Sequence, residues 1–218
     1  MIGQLFALLS GDLEPIQQAA ILMQLAARLF VIVFCVSVHE FAHALAAKKL
    51  GDNTAFMRGR LTLNPAKHLD LIGTAMILIV GFGYAKPVPV NPGHLQNIQF
   101  KKKRVKKGMA IVAAAGPASN LAMALIFHVI RSLVPFLALA GVDHMHIAMI
   151  SFFFYWVVYS NIALAIFNLL PIPPLDGSRI LDLFLPIRAS MWMHRNERYF
   201  MYGIMGLFLL VFFVGRLF

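Results

Sequence analysis

The first apolar stretch of the chain carries two histidines and a glutamate in the pattern HEFAH at 39–43. Residues four apart lie on one face of a helix, so His39 and His43 present two imidazole nitrogens to one metal ion. Glu40 lies about 100° further around the helix, beside that ion, where its carboxylate takes a proton from the attacking water. The alternative is a polar cluster that joins helices by hydrogen bonds. Three ionisable groups within five residues of an apolar helix favour the metal site, because each costs about 3 kcal/mol in a membrane.

A catalytic zinc takes three protein ligands, so two histidines leave one position to fill. The candidates are Asp70, Asp143, Asp176, Asp182 and the remaining histidines. Depth decides between them, because His39 and His43 lie about 8–15 Å from the end of their helix at 1.5 Å per residue. Asp176 follows an apolar helix that returns to the same side, in the segment PIPPLDG at 171–177, whose prolines unwind the chain. We therefore expect Asp176 to be the third ligand, although the segment alone is also compatible with an ordinary helix-ending turn.

The elements that position these residues belong to a membrane protein. Of the 218 residues, 60% are hydrophobic and only 13% are charged, whereas a soluble domain is nearer a quarter charged. The net charge of +10 could suggest a nucleic-acid partner. The basic residues lie in short loops between apolar runs, however, where they contact anionic lipid, and we exclude nucleic acid. The single cysteine, Cys35, excludes an intrachain disulfide.

The apolar runs predict an all-α polytopic membrane protein of one domain, 1–218. About four full transmembrane helices are expected, at 21–50, 108–140, 147–170 and 199–218. Residues 71–84 are too short to span easily and lie between two basic loops, so we predict a re-entrant segment there. The alternation of apolar and polar residues at 60–65 predicts a short β-like loop.

The charge of the loops predicts the topology. The loops at 48–67, 101–107 and 188–198 are strongly basic, whereas 141–146 contains no lysine or arginine. Basic loops remain in the cytoplasm. We therefore predict a multi-pass protein of the cell's inner membrane, with the active site toward the cytoplasmic side. His68 and His94 are expected in cytoplasmic loops and are predicted to be surface residues.

Three motifs together resemble those of the site-2 protease family of intramembrane metalloproteases: HEFAH at 39–43, AGPASN at 115–120 and NLLPIPPLDG at 168–177. RLTLNPAKHLD at 60–70 and GFGYAKPVPVNP at 81–92 are similar to a bacterial branch without PDZ or CBS domains. The resemblance covers about residues 30–185.

The resemblance implies one Zn²⁺ held by His39, His43 and Asp176, with Glu40 as general base and acid. It also implies that Asn120 and Asn168 lie near the site. There they contact the substrate or transition state, or they form structural hydrogen bonds between helices.

The expected activity is that of a zinc endopeptidase, which hydrolyses a peptide bond within or near a transmembrane segment of another protein, close to the cytoplasmic face. The partners are then that substrate and the lipid bilayer, and the oligomeric state stays open. Because helical carbonyls are bonded internally, the substrate must unwind, and we expect residues 60–64 or 85–91 to hold it by backbone pairing. The alternative is a membrane metal-ion transporter. A transporter favours ligands at the membrane midplane and repeated halves, and no repeat is evident.

Overall fold

The computed structural model describes residues 8, 13–70, 73–74, 85–95 and 104–214. Within these ranges the regular structure is helical, and they contain no β-strand. The α-helices are α1 (Pro15–Phe30), α2 (Val36–Lys49), α3 (Thr54–Met57), α4 (Arg104–Leu133), α5 (His144–Asn168), α6 (Asp176–Asp182), α7 (Ile187–Arg195) and α8 (Glu197–Val214).

The first span is one continuous helical run with a widened turn in its middle. A π-helix, Val31–Cys35, joins α1 to α2, so that α1 to α2 form a 35-residue apolar run from Pro15 to Lys49. A π turn carries an extra residue and rotates the helix that follows, and such turns are frequent at functional sites. The HEFAH motif begins four residues after this π-helix ends.

The second and third spans are α4 and α5. A 3₁₀ helix, Val134–Ala140, prolongs α4, and Gly141 ends it with φ of 81°, a left-handed conformation that suits glycine. Asp143 then caps α5, because its side chain accepts hydrogen bonds from the N–H groups of Met145 and His146. The loop that was predicted at 141–146 is therefore a tight connection between antiparallel helices.

Helix α4 is the centre of the bundle, since it packs against α2, α5 and α6, while α1 packs against α5. One buried cluster joins Ala27, Val31 and Cys35 of the first span to Met123 of α4 and Val157 of α5. Most of these side chains are small, which lets the helix backbones approach closely, as is usual for helices packed in a membrane. This packing sets the HEFAH face of α2 against α4.

Three helices of the described residues are long and apolar enough to cross a membrane: Pro15–Lys49, Val105–Ala140 and His144–Asn168. They correspond to the first three predicted spans. The fourth predicted span overlaps α8, an 18-residue helix that is not among the three, so the count of four stays a prediction. The predicted re-entrant segment at 71–84 lies outside the described residues except for 73–74.

The prediction of a β-like loop at 60–65 was wrong. Residues 61–62 form a bend, and Pro65–Lys67 form a 3₁₀ turn capped by Asn64, whose side chain accepts from the N–H of Ala66. The carbonyl of Thr62 bonds the ring of His68 at 2.7 Å, so this segment satisfies its polar groups locally instead of in a ladder.

Two further expectations also differ from the structure. His68 is fully buried rather than on the surface, because its ring lies under the 60–65 bend. Most of the loop at 188–198 is the helix α7, whose hydrophobic side chains Met191 and Trp192 are exposed. His94, in contrast, lies on the surface with 57% of its side chain exposed.

Candidate metal centre

Three side chains from distant parts of the chain converge beside α4. The Nε2 atoms of His39 and His43 lie 3.0 Å apart. The Oδ2 atom of Asp176 lies 3.3 Å from the first and 3.4 Å from the second. Two ligands at about 2.0 Å from a tetrahedral zinc are about 3.3 Å apart, so the three atoms have the spacing of a zinc ligand set.

The hydrogen bonds of the two rings determine which nitrogens face the centre as acceptors. The Nδ1 of His43 lies 2.7 Å from the carbonyl of Val112, which can only accept, so Nδ1 carries the proton. The Nδ1 of His39 lies 3.1 Å from Oδ1 of Asn120 and donates to it in the same way. Both Nε2 atoms then present lone pairs inward, which is the tautomer that a metal ligand requires.

The carboxylate oxygen that faces the two rings also lacks a hydrogen-bond donor. Asp176 Oδ2 is buried and accepts no hydrogen bond among the described residues. Two ring lone pairs and a carboxylate oxygen therefore face one another, an arrangement that is unfavourable unless a cation lies between them. The residues present fit a divalent metal ion.

Gly116 in the AGPASN segment permits this close approach of α4 to the two rings. A Cβ atom at position 116 would lie 2.4 Å from Nε2 of His43 and 2.5 Å from Cε1 of His39. Pro117, the next residue, has no N–H to donate within the helix. The carbonyl that receives His43 lies one turn before this point, at Val112.

Helix α6 carries Asp176 at its first position and is braced at both ends. At its start, Gly177 lies so close to α5 that an added Cβ would be 2.1 Å from the carbonyl oxygen of Leu169. At its end, the ammonium of Lys106 donates to the Asp182 carboxylate at 3.2 Å and to the carbonyls of Asp182 and Leu185 at 2.9 and 3.0 Å. These contacts hold the carboxylate of Asp176 at the depth of the two histidines.

Glu40 is buried on α2, adjacent in sequence to His39. Its Oε2 atom accepts a hydrogen bond of 3.1 Å from the backbone N–H of Val88. Val88 belongs to residues 85–95, a stretch that we call the proline segment because it contains Pro87, Pro89 and Pro92. The proline segment thus lies over the carboxylate that the sequence suggests as general base.

The two asparagines differ in their surroundings. Asn120 is buried and bonds His39 across the helix interface, which is the structural hydrogen bond that the sequence left open as an alternative. Asn168 is half-buried, and its side chain donates to the carbonyl of Leu164 in its own helix at 3.0 Å. Of the two asparagines, only Asn120 contacts one of the two site histidines among the contacts described.

Two features of the site were not predicted from the sequence. The carbonyl of Val112 orients His43, and no sequence pattern marks a backbone acceptor of this kind. The N–H of Val88 meets Glu40, and here the sequence does contain a signal, since alternating prolines leave Val88 as the single donor between Pro87 and Pro89.

Two imidazoles and a carboxylate around one point, with a glutamate beside them in an apolar helix, define a metallohydrolase embedded in a membrane. The comparison with protein families agrees, since residues 27–212 match the model of Peptidase family M50. The chain belongs to this family, the site-2 protease type of zinc metalloprotease, and Zn²⁺ is its cofactor.

Bacterial relatives match most of the chain. A protein of Bacillus subtilis described as "Putative zinc metalloprotease YwhC" is 43% identical over 162 residues, which cover 73% of this chain and 70% of the relative. "Putative zinc metalloprotease Rip2" of Mycobacterium tuberculosis is 28% identical over 83% of this chain and 65% of its own length. The protein of the same name from Mycolicibacterium smegmatis is 32% identical over 66% of this chain and 52% of its own length. No solved structure matches the chain.

Proposed function

We propose that this protein is a zinc endopeptidase that hydrolyses a peptide bond within or near a transmembrane segment of another protein, close to the cytoplasmic face. The observation that carries this proposal is the meeting of His39, His43 and Asp176 on the interior of a membrane-spanning bundle. Membership of a family of intramembrane metalloproteases supports the reaction class.

In the proposed site His39, His43 and Asp176 hold one Zn²⁺, and Glu40 is the general base and acid. The bound zinc supplies Lewis acidity, which polarises the scissile carbonyl and lowers the pKa of water at the site toward 7. Glu40 takes the proton of the attacking water and then delivers it to the leaving amine. The position of Glu40, adjacent in sequence to one ligand and buried, supports this assignment.

We assign Asn120 the task of fixing the ring of His39 rather than of contacting the substrate. Its Oδ1 accepts from Nδ1 of His39, and ligand histidines commonly rely on such a partner for their tautomer and orientation. Asn168 has no such contact among the described residues, and its contact with the substrate or transition state stays a prediction.

The cytoplasmic position of the site is inferred from the charges of the loops. His43 and His39 lie 6 and 10 residues before Lys49, the end of α2, which is about 9 and 15 Å at 1.5 Å per residue. Lys48 and Lys49 at this end, together with the basic residues of 101–107, mark the side that remains in the cytoplasm. The proposed cleavage therefore occurs within the cytoplasmic half of the membrane. The protease itself is proposed to be a multi-pass protein of the inner membrane that forms a single domain.

A helical substrate must unwind before its carbonyls can react, because helical hydrogen bonds occupy them. Residues 60–64 and 85–91 both stay candidates to hold the unwound substrate, since each segment has backbone groups that are already hydrogen-bonded within the protein. The transporter alternative receives no support from the comparisons, which match proteases.

The test is a co-expression cleavage assay against candidate single-span membrane proteins. The wild type should produce a fragment cut within the cytoplasmic half of the substrate span, as located by mass spectrometry. Glu40→Gln should abolish the fragment while keeping about one zinc per chain in metal analysis. A cut on the opposite side of the membrane would refute the topology, and undiminished cleavage by Glu40→Gln would refute the proposed base.

A further inference from the structure

The proline segment has one backbone N–H that can donate to Glu40, and the residues on either side of it are prolines without an N–H. Pro87 and Pro89 have no N–H, so Val88 carries the single donor between them. That N–H donates to Oε2 of Glu40 at 3.1 Å, 48 residues away in sequence. A hydrogen bond to an ionised carboxylate is stronger than one between neutral groups, and it fixes the rotation of the side chain.

A buried arginine holds the chain immediately before Val88. Arg60 is 7% exposed, and its Nη2 donates to the carbonyls of Lys86 at 2.6 Å and Pro87 at 3.3 Å. The N–H of Lys86 in turn donates to the carbonyl of His68 at 2.8 Å. Lys86 and Pro87, the two residues before Val88, are therefore held by hydrogen bonds with Arg60 and with the carbonyl of His68. This role explains why an arginine is buried at position 60.

A buried aspartate holds the chain just after Val88. Asp52 is fully buried beyond the end of α2, and its Oδ2 accepts from the N–H of Asn91 at 2.6 Å. Its other oxygen accepts from the backbone and hydroxyl of Thr54. Because Asp52 belongs to the loop that directly follows the HEFAH helix, this bond joins the proline segment to the element that carries Glu40.

We propose that the N–H of Val88 is a positioning group for the general base, and that Arg60 and Asp52 are the positioning residues that hold it there. The bond to Oε2 turns the Glu40 carboxylate so that Oε1 faces the attacking water. Burial of the Arg60 guanidinium and the Asp52 carboxylate costs free energy, which the shape of a surface loop alone does not explain. Fixing the Glu40 carboxylate within a few tenths of an ångström is a function that explains why both charged groups are buried. This proposal rests on the proposed role of Glu40.

The contact itself is tested by hydrogen exchange, which requires no substrate. In a peptide covering 86–89, the nitrogen of Lys86 becomes a free amine and Pro87 and Pro89 carry no amide hydrogen, so the retained deuterium reports Val88 alone. We expect Glu40→Ala to speed exchange at Val88 about tenfold relative to wild type, while Glu40→Gln, which keeps an acceptor oxygen, stays near wild type. Equal exchange at Val88 in wild type and Glu40→Ala would overturn the proposal.

The function of the contact is tested by removing the donor. Val88→Pro deletes the N–H in a segment that already alternates with proline, and we expect kcat to fall about 10- to 100-fold with KM within twofold. The conservative Val88→Ala keeps the N–H and should recover most of that loss. Val88→Ala is therefore the matched control, since it changes the same side chain and keeps the N–H.

Each outcome decides between a positioning role and the alternatives. A rise in KM at unchanged kcat for Val88→Pro would mean that the N–H binds substrate and would overturn the proposal, as would equal losses in Val88→Pro and Val88→Ala. Arg60→Gln and Asp52→Asn should reproduce the kcat loss and speed exchange at Val88, with zinc content unchanged. If Glu40→Gln cleaves normally, the proposed base fails, while the exchange experiment still reports whether the contact exists.

Discussion

Gly116 gives the sharpest test of the proposed metal centre, because its replacement moves the rings of His39 and His43 without replacing either residue. An alanine Cβ at this position would lie 2.4 Å from Nε2 of His43 and 2.5 Å from Cε1 of His39. Ordinary contacts of a Cβ atom are at least 3.4 Å, so the rings or α4 must move by about 1 Å. Zinc ligand distances tolerate about 0.2 Å, and loss of a supporting residue alone costs 10- to 100-fold in affinity. We expect Gly116→Ala to weaken zinc binding at least about 100-fold.

The assay is competition for zinc with a chelator on purified protein, followed by metal analysis and the cleavage assay. Gly206→Ala in α8 is the matched control, because a Cβ there meets nothing within 4 Å among the described residues. It introduces the same methyl group into a helix and should keep the affinity of wild type. Wild-type zinc affinity in Gly116→Ala would refute the close approach of α4 to the ligand rings.

Three further predictions concern the supports of the site. Asn120→Ala should weaken zinc binding about 10- to 100-fold through loss of the acceptor for the His39 ring, and a chelator titration in which it equals wild type would contradict this. Lys106→Met should lower zinc affinity about three- to tenfold and lower Tm, because α6 loses the hydrogen bonds between Lys106 and Asp182. Lys67→Met is the control, since Lys67 is exposed, and equal Tm values for the two variants would refute a stabilising role of Lys106. Burial raises the pKa of Asp52, but hydrogen bonds from Thr54 and Asn91 outweigh burial and hold the pKa below its usual value. His94, whose Nδ1 lies 3.5 Å from Oδ1 of Asp52, lowers this pKa as well. The stability that the ionised Asp52 adds is therefore complete above about pH 4 and is lost as the pH falls through the lower pKa of Asp52 in the folded protein. Asp52→Asn should therefore have a lower Tm than wild type at about pH 7. A difference in Tm that does not narrow below about pH 4 would contradict the assignment.

The sequence predicts the spans and the meeting of the three ligand residues for separate physical reasons. Apolar runs of sufficient length predict helices, and the structure contains the first three. The convergence of His39, His43 and Asp176 follows from helix periodicity and from depth, since both segments approach the same side of the membrane. The structure brings these side chains together, and their ligation of zinc is the function that we propose.

What the sequence does not predict depends on contacts between distant segments. Nothing local marks the burial of His68, because its partner is a carbonyl in a bend whose alternating pattern suggests a strand. Likewise Asn120 has the chemistry of an oxyanion donor and of a helix linker alike, and only the position of the His39 ring decides between them. The π turn at Val31–Cys35 lies in an apolar run that is equally compatible with a regular helix.

The central claim is that two imidazoles and one carboxylate hold a single zinc ion, and X-ray absorption at the zinc edge of the purified, zinc-loaded protein tests it most directly. We predict one zinc per chain with nitrogen and oxygen ligands at about 2.0 Å and two imidazole signatures. The Asp176→Ala variant should lose most of the metal. A sulfur ligand at about 2.3 Å, which would implicate Cys35, or zinc retained in full by Asp176→Ala would contradict the account.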